Sequence, residues 1–291
     1  MGNLEGLAIL DATIERELRV ELAKLDALGT APPAEDGLKQ CDASIAFAER
    51  AEGSPSAALV GARARYEKAR VLSLLGRKEE SRAAVRELFA RYEHATAPDV
   101  RRILGRALFG QTKDRLEEGA DRRSAIAEYR LVLHIAERQP PIEDMAASAL
   151  YHLALTHAKI AIERDSREHR EKALDRFREI EQRFAAHDVV DVARWTARAV
   201  LARAKMEPLD VAGATYEALF QRRRGDASLE LVTHAAEALT AWAERCAEED
   251  ETARAAELVK RVSEAFGASE HPPIQERVHR SEDLAKTLPR T

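Results

Sequence analysis

The stretch LLGRKEESRAAVRELFARY, Leu74 to Tyr92, admits two readings. A glycine followed by Arg77 and Lys78 at a helix start could cradle a phosphate, as an enzyme loop does. It could equally be the turn between two packed helices. A phosphate loop of that kind needs several glycines after a strand and a Lys-Ser or Lys-Thr pair, and none of these is present. Gly76 is therefore read as the end of one helix, where glycine adopts φ > 0 without strain. Arg77 to Glu80 then start the next helix.

Outward from this turn, the chain repeats. Pro55, Pro98 and Pro141 stand 43 residues apart, each ahead of a helical pattern. Proline suits a first helical turn because its missing N–H would lack a partner there anyway. HPPIQER from His271 repeats the signal; in HDVVDVA (His187) and GDASLEL (Gly225) an Asp cap is expected in place of proline. A small residue follows well into each helix: Ala69, Thr112, Ala154, Ala199 and Ala243, spaced by 43, 42, 45 and 44. Ala64, Ala107, Ala149 and Ala238 lie five residues earlier, and Arg194 breaks that rule. A second helix in each unit carries one apolar stripe, from Ser81, Val85, Leu88 and Phe89 to Ala255, Val259 and Val262. Neither helix of a unit can bury its stripe alone, so successive pairs must stack.

The composition agrees. The chain has 291 residues, 45% hydrophobic and 33% charged, with only 5% aromatics. Ala, Leu, Arg and Glu favour helix, and β-branched runs bounded by turns are nearly absent. The expected fold is all-α: a right-handed α-solenoid of about six antiparallel helix pairs plus a C-terminal capping helix. The expected divisions are 1–53 (an N-terminal hairpin, residues 3–28 and 35–52, as cap), 54–96, 97–139, 140–186, 187–225 and 226–270 (repeats), and 271–291 (capping helix and tail).

YEKARVLSLLGRKEESRAAVRELFARY and ALYHLALTHAKI…EKALDRFREI carry a small residue in the first helix, a glycine before a charged turn, and Ala-x-x-x-aromatic in the second. In these features the chain resembles the tetratricopeptide repeat family over residues 54–270. The resemblance implies helical hairpins that bind a protein or peptide on the face lined by the first helices. The period departs from the family: it is 42 to 45 residues here, against ~34, while HEAT-type repeats run ~40–47. The early Trp and late Pro of the family are also missing. A HEAT-like geometry stays open.

Motifs for chemistry are scarce. No His-Glu-x-x-His, Cys-x-x-Cys, Gly-x-Ser-x-Gly or glycine-rich nucleotide loop occurs. No catalytic residue, metal or cofactor is expected. Cys41 and Cys246 read as free thiols, since two cysteines so far apart make no disulfide framework. The N-terminal stretch has no basic start ahead of an unbroken apolar run, so no signal peptide is expected, and no window has the ~18 apolar residues of a membrane span. The chain reads as soluble and cytoplasmic.

The repeat frame nominates a partner-binding face. Three and six residues before the small residue, and one after it, stand Arg63, Tyr66 and Arg70; Arg106, Phe109 and Lys113; and Ser148, Tyr151 and Leu155. In the fourth and fifth units the aromatic becomes Thr196 and Thr240, and Glu237 and Glu244 bring negative charge. Ser56 to Arg115 holds 14 Lys and Arg against 7 Asp and Glu, whereas Asp226 to His271 holds 4 against 11. The expectation is a non-enzymatic scaffold that grips an acidic peptide segment or protein surface through Arg63, Tyr66, Arg70, Arg106, Phe109, Lys113 and Tyr151. A sensor module that flexes on a peptide or small ligand is the alternative. The charge polarity also permits head-to-tail self-association. The acidic C-terminal half disfavours nucleic acid.

Overall fold

The structure, a computed structural model, describes residues 2–30, 33–54 and 56–288, with side chains from residue 12 onward. Pro55, and Ala31 and Pro32 of the first turn, lie outside the described residues.

Thirteen helices and no strand occur among the described residues. They are α1 (Gly2–Thr30), α2 (Glu35–Arg50), α3 (Ala57–Leu74), α4 (Lys78–Tyr92), α5 (Pro98–Glu117), α6 (Arg122–Glu137), α7 (Glu143–Arg164), α8 (Arg167–Phe184), α9 (Val190–Ala204), α10 (Leu209–Arg223), α11 (Leu229–Glu248), α12 (Thr252–Phe266) and α13 (Pro272–Thr287). The fold is all-α: six successive pairs and a last helix, with helices adjacent in sequence packed together within each unit. None of these helices is long and apolar enough to cross a membrane.

The chain divides into two units, Met1–Ala146 and Ala147–Thr291. In the first, α3 packs on α2 and α4 and also on α5 and α1. In the second, α11 packs on α10 and α12 and also on α9 and α13. Contacts to the next helix and the next but one are what stacked hairpins produce. The five small residues of the repeat frame are all buried: Ala69 4% exposed, Thr112 1%, and Ala154, Ala199 and Ala243 0%. So are Ala64, Ala107, Ala149 and Ala238. The second helices bury their stripes: Val85 and Leu88, Tyr129 and Val132, Phe177 and Ile180, Tyr216 and Phe220, Val259 and Val262.

The turns share one device. Gly76 (φ 77°) and Gly119 (φ 86°) end α3 and α5 in the left-handed region. The next N–H reaches back to the helix, Arg77 to the Leu72 carbonyl and Ala120 to the Arg115 carbonyl, each at 2.9 Å. Asp165 (φ 47°) and Asp250 (φ 61°) take the same place after α7 and α11, with Ser166 N–H on Ala161 and Glu251 N–H on Cys246. Aspartate tolerates this conformation because its short polar side chain bonds locally.

Helix starts are partly as expected. Pro98 and Pro272 occupy first-turn positions, and Glu143 and Asp144 lie in the first turn of α7. The Asp caps need correction. Val189 is the N-cap of α9, and Asp191 supplies its first-turn charge instead. Ser228 is the N-cap of α11; Asp226 acts just outside, accepting from the Ser228 N–H at 3.0 Å.

Two buried charges tie hairpins together within the first unit. Arg101 is 0% exposed. Its guanidinium donates to the carbonyls of Arg138 (2.7 Å), Ile135 (3.2 Å) and Pro140. These satisfy acceptors that the C-terminus of α6 leaves open. Glu67, 1% exposed, sits between Arg63 (3.1 Å) and Arg70 (2.6 Å). Arg70 also donates to the Leu28 carbonyl at 2.8 Å, joining α3 to α1. In the second unit, α13 packs on α11 and α12: Ile274 and Val278 are buried, while Gln275, Glu276, His279 and Glu282 face solvent.

Candidate functional site

A cavity of about 240 Å³ opens where α3, α4 and α5 meet. Its apolar lining comes from Tyr66, Ala69, Leu74, Val85 and Ala107. Its cations are Arg70, Lys78, Arg82, Arg106 and Lys113, against the acids Asp114 and Glu118. Four of the seven residues nominated from sequence therefore share one cavity: Tyr66, Arg70, Arg106 and Lys113.

The cations are not equivalent. Arg70 is held by Glu67 and Leu28. Lys78 lies 2.7 Å from Glu118, which also takes Arg82; the hydrogen bond from Lys78 holds the Glu118 carboxyl below the usual carboxylate range. Asp114 accepts from the Ser73 hydroxyl at 2.9 Å. Arg106 is exposed and makes no ion pair among the described residues. Lys113 is 75% exposed and reaches only Glu117, at 3.8 Å. The mouth thus presents one cation with no ion pair among the described residues, Arg106, and one in a long, exposed pair, Lys113.

The other nominated residues go elsewhere. Arg63 pairs with Glu67 and with Asp26 (3.3 Å), its guanidinium 5.9 Å from the Tyr66 ring. Phe109 packs on Tyr129 with ring centroids 5.6 Å apart. Tyr151, in the second unit, packs on Phe177 (6.1 Å) and Trp195 (5.3 Å). These aromatics meet second helices or neighbouring first helices, so packing within the stack accounts for them. Thr196 and Thr240 are buried, and Thr196 donates to the Val192 carbonyl. Glu237 and Glu244 are engaged by Arg280 at 3.4 and 2.7 Å.

Lys78, Ser81, Arg82, Asp114 and Glu118 were not nominated. Three of them stand on the first turns of α4, in the stretch that poses the phosphate-loop question. The available signal was the spacing of Lys78 and Arg82, four apart and hence on one face of a helix start.

Among the described residues, no group of three His, Cys, Asp or Glu side chains converges as a metal-ligand set. Burial pushes the Cys41 thiol up to about 12 and the Cys246 thiol up to about 11, so both stay protonated. A scan against protein-family models gave no match, and a search of the curated proteins found no relative.

Proposed function

We propose that the chain is a non-enzymatic binding scaffold of tetratricopeptide-like hairpins, working in the cytoplasm, and that the α3–α4–α5 cavity receives an acidic segment of a protein partner. An apolar side chain of that segment fills the floor formed by Tyr66, Ala69, Val85 and Ala107. Its carboxylates meet Arg106 and Lys113. The observation that carries this reading is the lining itself: five cations against two acids around an apolar floor, with Arg106 free of ion pairs among the described residues and Lys113 only loosely paired at the mouth. Charge-assisted hydrogen bonds to carboxylate are the strong kind, and a cationic mouth raises the encounter rate with an anionic partner.

The test is fluorescence anisotropy with labelled peptides that place one Leu or Phe between Glu and Asp residues. Saturable binding is expected, weakening with salt. R106E/K113E is expected to cost about tenfold or more in affinity, because two charge-assisted contacts become repulsions. Equal binding by the variant, or by a peptide with every acid changed to its amide, removes the assignment.

A further inference from the structure

A second cluster of basic side chains lies in the second unit: two arginines on α9, with a neutral imidazole on each of α7 and α11. Its centre is Trp195, a partly exposed residue one position before the expected Thr196. The Arg198 guanidinium stands 5.0 Å from the Trp195 ring centre, and that of Arg194 stands 5.4 Å away. Tyr151 and His152 of α7 flank the same ring at 5.3 and 5.5 Å. Arg198 forms no ion pair among the described residues; its guanidinium lies over the indole face of Trp195. Its charge nevertheless reaches two imidazoles. Burial first, then Arg198, pushes His152 and His234 of α11 down to about 4.

The acids nearby are committed at the edges. Arg194 reaches Asp191 at 3.1 Å and Glu230 at 3.6 Å. Glu237, which faces His234, is held by Arg277, by Arg280 at 3.4 Å and by Lys205 at 3.8 Å. Lys159 adds a further positive charge near His152, and Arg277 near His234. Two polar atoms inside the cluster are buried without a hydrogen-bond partner, the Arg194 Nε and the His234 Nε2. Buried polar atoms without partners are rare and costly in folded proteins. Here they come from two different helices around an arginine with no counter-charge.

We infer that the cluster of Arg194, Arg198, His152 and His234 is an oxyanion site, built for the phosphate group of a phosphate monoester. A carboxylate is planar and is matched by a single guanidinium fork. Groups on three helices, α7, α9 and α11, can approach one anion from different directions, which suits the tetrahedral oxygens of phosphate. The group would accept from Arg198 and Arg194, while each imidazole takes up or shares a proton as the anion enters. Trp195 supplies the floor and a fluorescent reporter. This site is separate from the α3–α4–α5 cavity and stands on different residues.

The experiment is a titration of the full chain in a Trp242→Phe background, so that Trp195 is the remaining tryptophan. The probes are inorganic phosphate, a phosphoserine peptide and the same peptide unphosphorylated. A saturable change in Trp195 emission is expected with phosphate and with the phosphopeptide, tighter at pH 5.5 than at pH 7.5. Comparable strength for the two ligands indicates a free small phosphate; a large gain for the phosphopeptide indicates a phosphorylated partner. Arg198→Gln, with an unchanged circular dichroism spectrum, is expected to weaken binding about tenfold or more, the cost of losing a charge-assisted hydrogen bond. Should Trp242→Phe disturb the fold, calorimetry on the unaltered chain and on Arg198→Gln gives the same comparison. No saturable signal with either phosphate ligand, or equal binding by Arg198→Gln, overturns the site.

Discussion

The Lys78 ammonium lies 2.7 Å from the Glu118 carboxylate, which clamps the first turn of α4 to the end of α5 across the cavity. Glu118 also holds Arg82, so one acid restrains two of the five cations. Its pKa is lowered by the hydrogen bond from Lys78. The stabilisation it brings is therefore present above the ordinary carboxylate range and lost as pH falls through the lowered value. Glu118→Gln is expected to release Lys78 and Arg82 toward the cavity. Acidic peptides should then bind several-fold more tightly at low salt, with the thermal midpoint little changed. Anisotropy titrations decide this; weaker or unchanged binding would mean that the cavity does not attract anions.

Two helical glycines with crowded Cβ positions give different expectations. A Cβ on Gly213 would lie 2.9 Å from Trp242 Cζ2 and 3.1 Å from Cε2. That ring is 6% exposed and carries Arg254 at 4.8 Å, so it has little room to retreat. A Cβ on Gly105 would approach Met145 Sδ more closely still, at 2.2 Å, but a thioether chain can swing aside. Gly213→Ala is expected to cost about 1–3 kcal/mol through overpacking. Gly105→Ala should cost less: both variants gain about 1 kcal/mol of helix propensity, but only the Met145 chain can move out of the way. Urea unfolding of both variants tests the order, and a larger loss at Gly105 would refute it.

The fold was legible because it rests on periodic apolar positions. Ala69, Thr112, Ala154, Ala199 and Ala243 mark one buried register, and Gly76 and Gly119 mark two turns by a conformation that few other residues tolerate. Where the turn residue is Asp165 or Asp250, composition hides the same geometry, since an acid in a charged stretch looks like solvated surface. Trp195 was missed for a related reason. The aromatic of α9 stands one residue off the frame set by Tyr66, Phe109 and Tyr151, and a one-residue step turns a helical side chain by about 100°. Arg101 could not be read as buried, because its acceptors lie at the end of another helix. The cavity needed the start of α4 as well as two first helices, a juxtaposition that no single amphipathic pattern contains.

Arg101 gives a third expectation. It is 0% exposed and donates to carbonyls of Ile135, Arg138 and Pro140. Removing it leaves buried acceptors without donors and opens a void. Arg101→Ala should destabilise the protein by about 3–5 kcal/mol, in the range for breaking a buried charged network. Arg101→Lys should recover only part of this, since an ammonium lacks the planar fork that reaches several carbonyls at once. If denaturant unfolding shows Arg101→Ala within 1 kcal/mol of the parent, the carbonyl cluster is not a stabilising joint.

Acid should loosen the second unit first. His152 and His234 are held near 4, against 6.5 for an unperturbed imidazole, chiefly because burial disfavours their charged forms and Arg198 repels the proton. Between pH 6.5 and 4 the unfolded chain binds protons that the folded chain refuses. Stability is therefore full above the unfolded value and falls as pH drops through this window, with a slope of up to about 1.4 kcal/mol per pH unit for each group. The whole window is worth on the order of 3 kcal/mol per histidine. His152→Asn and His234→Asn together should flatten the acid limb of a urea-midpoint-versus-pH curve while leaving the neutral plateau displaced by a constant amount. An oxyanion bound between Arg198 and the imidazoles would favour protonation, so phosphate should protect the parent more at pH 5.5 than at pH 7.5. Parallel pH curves for parent and double variant would show that these imidazoles do not set the acid limit.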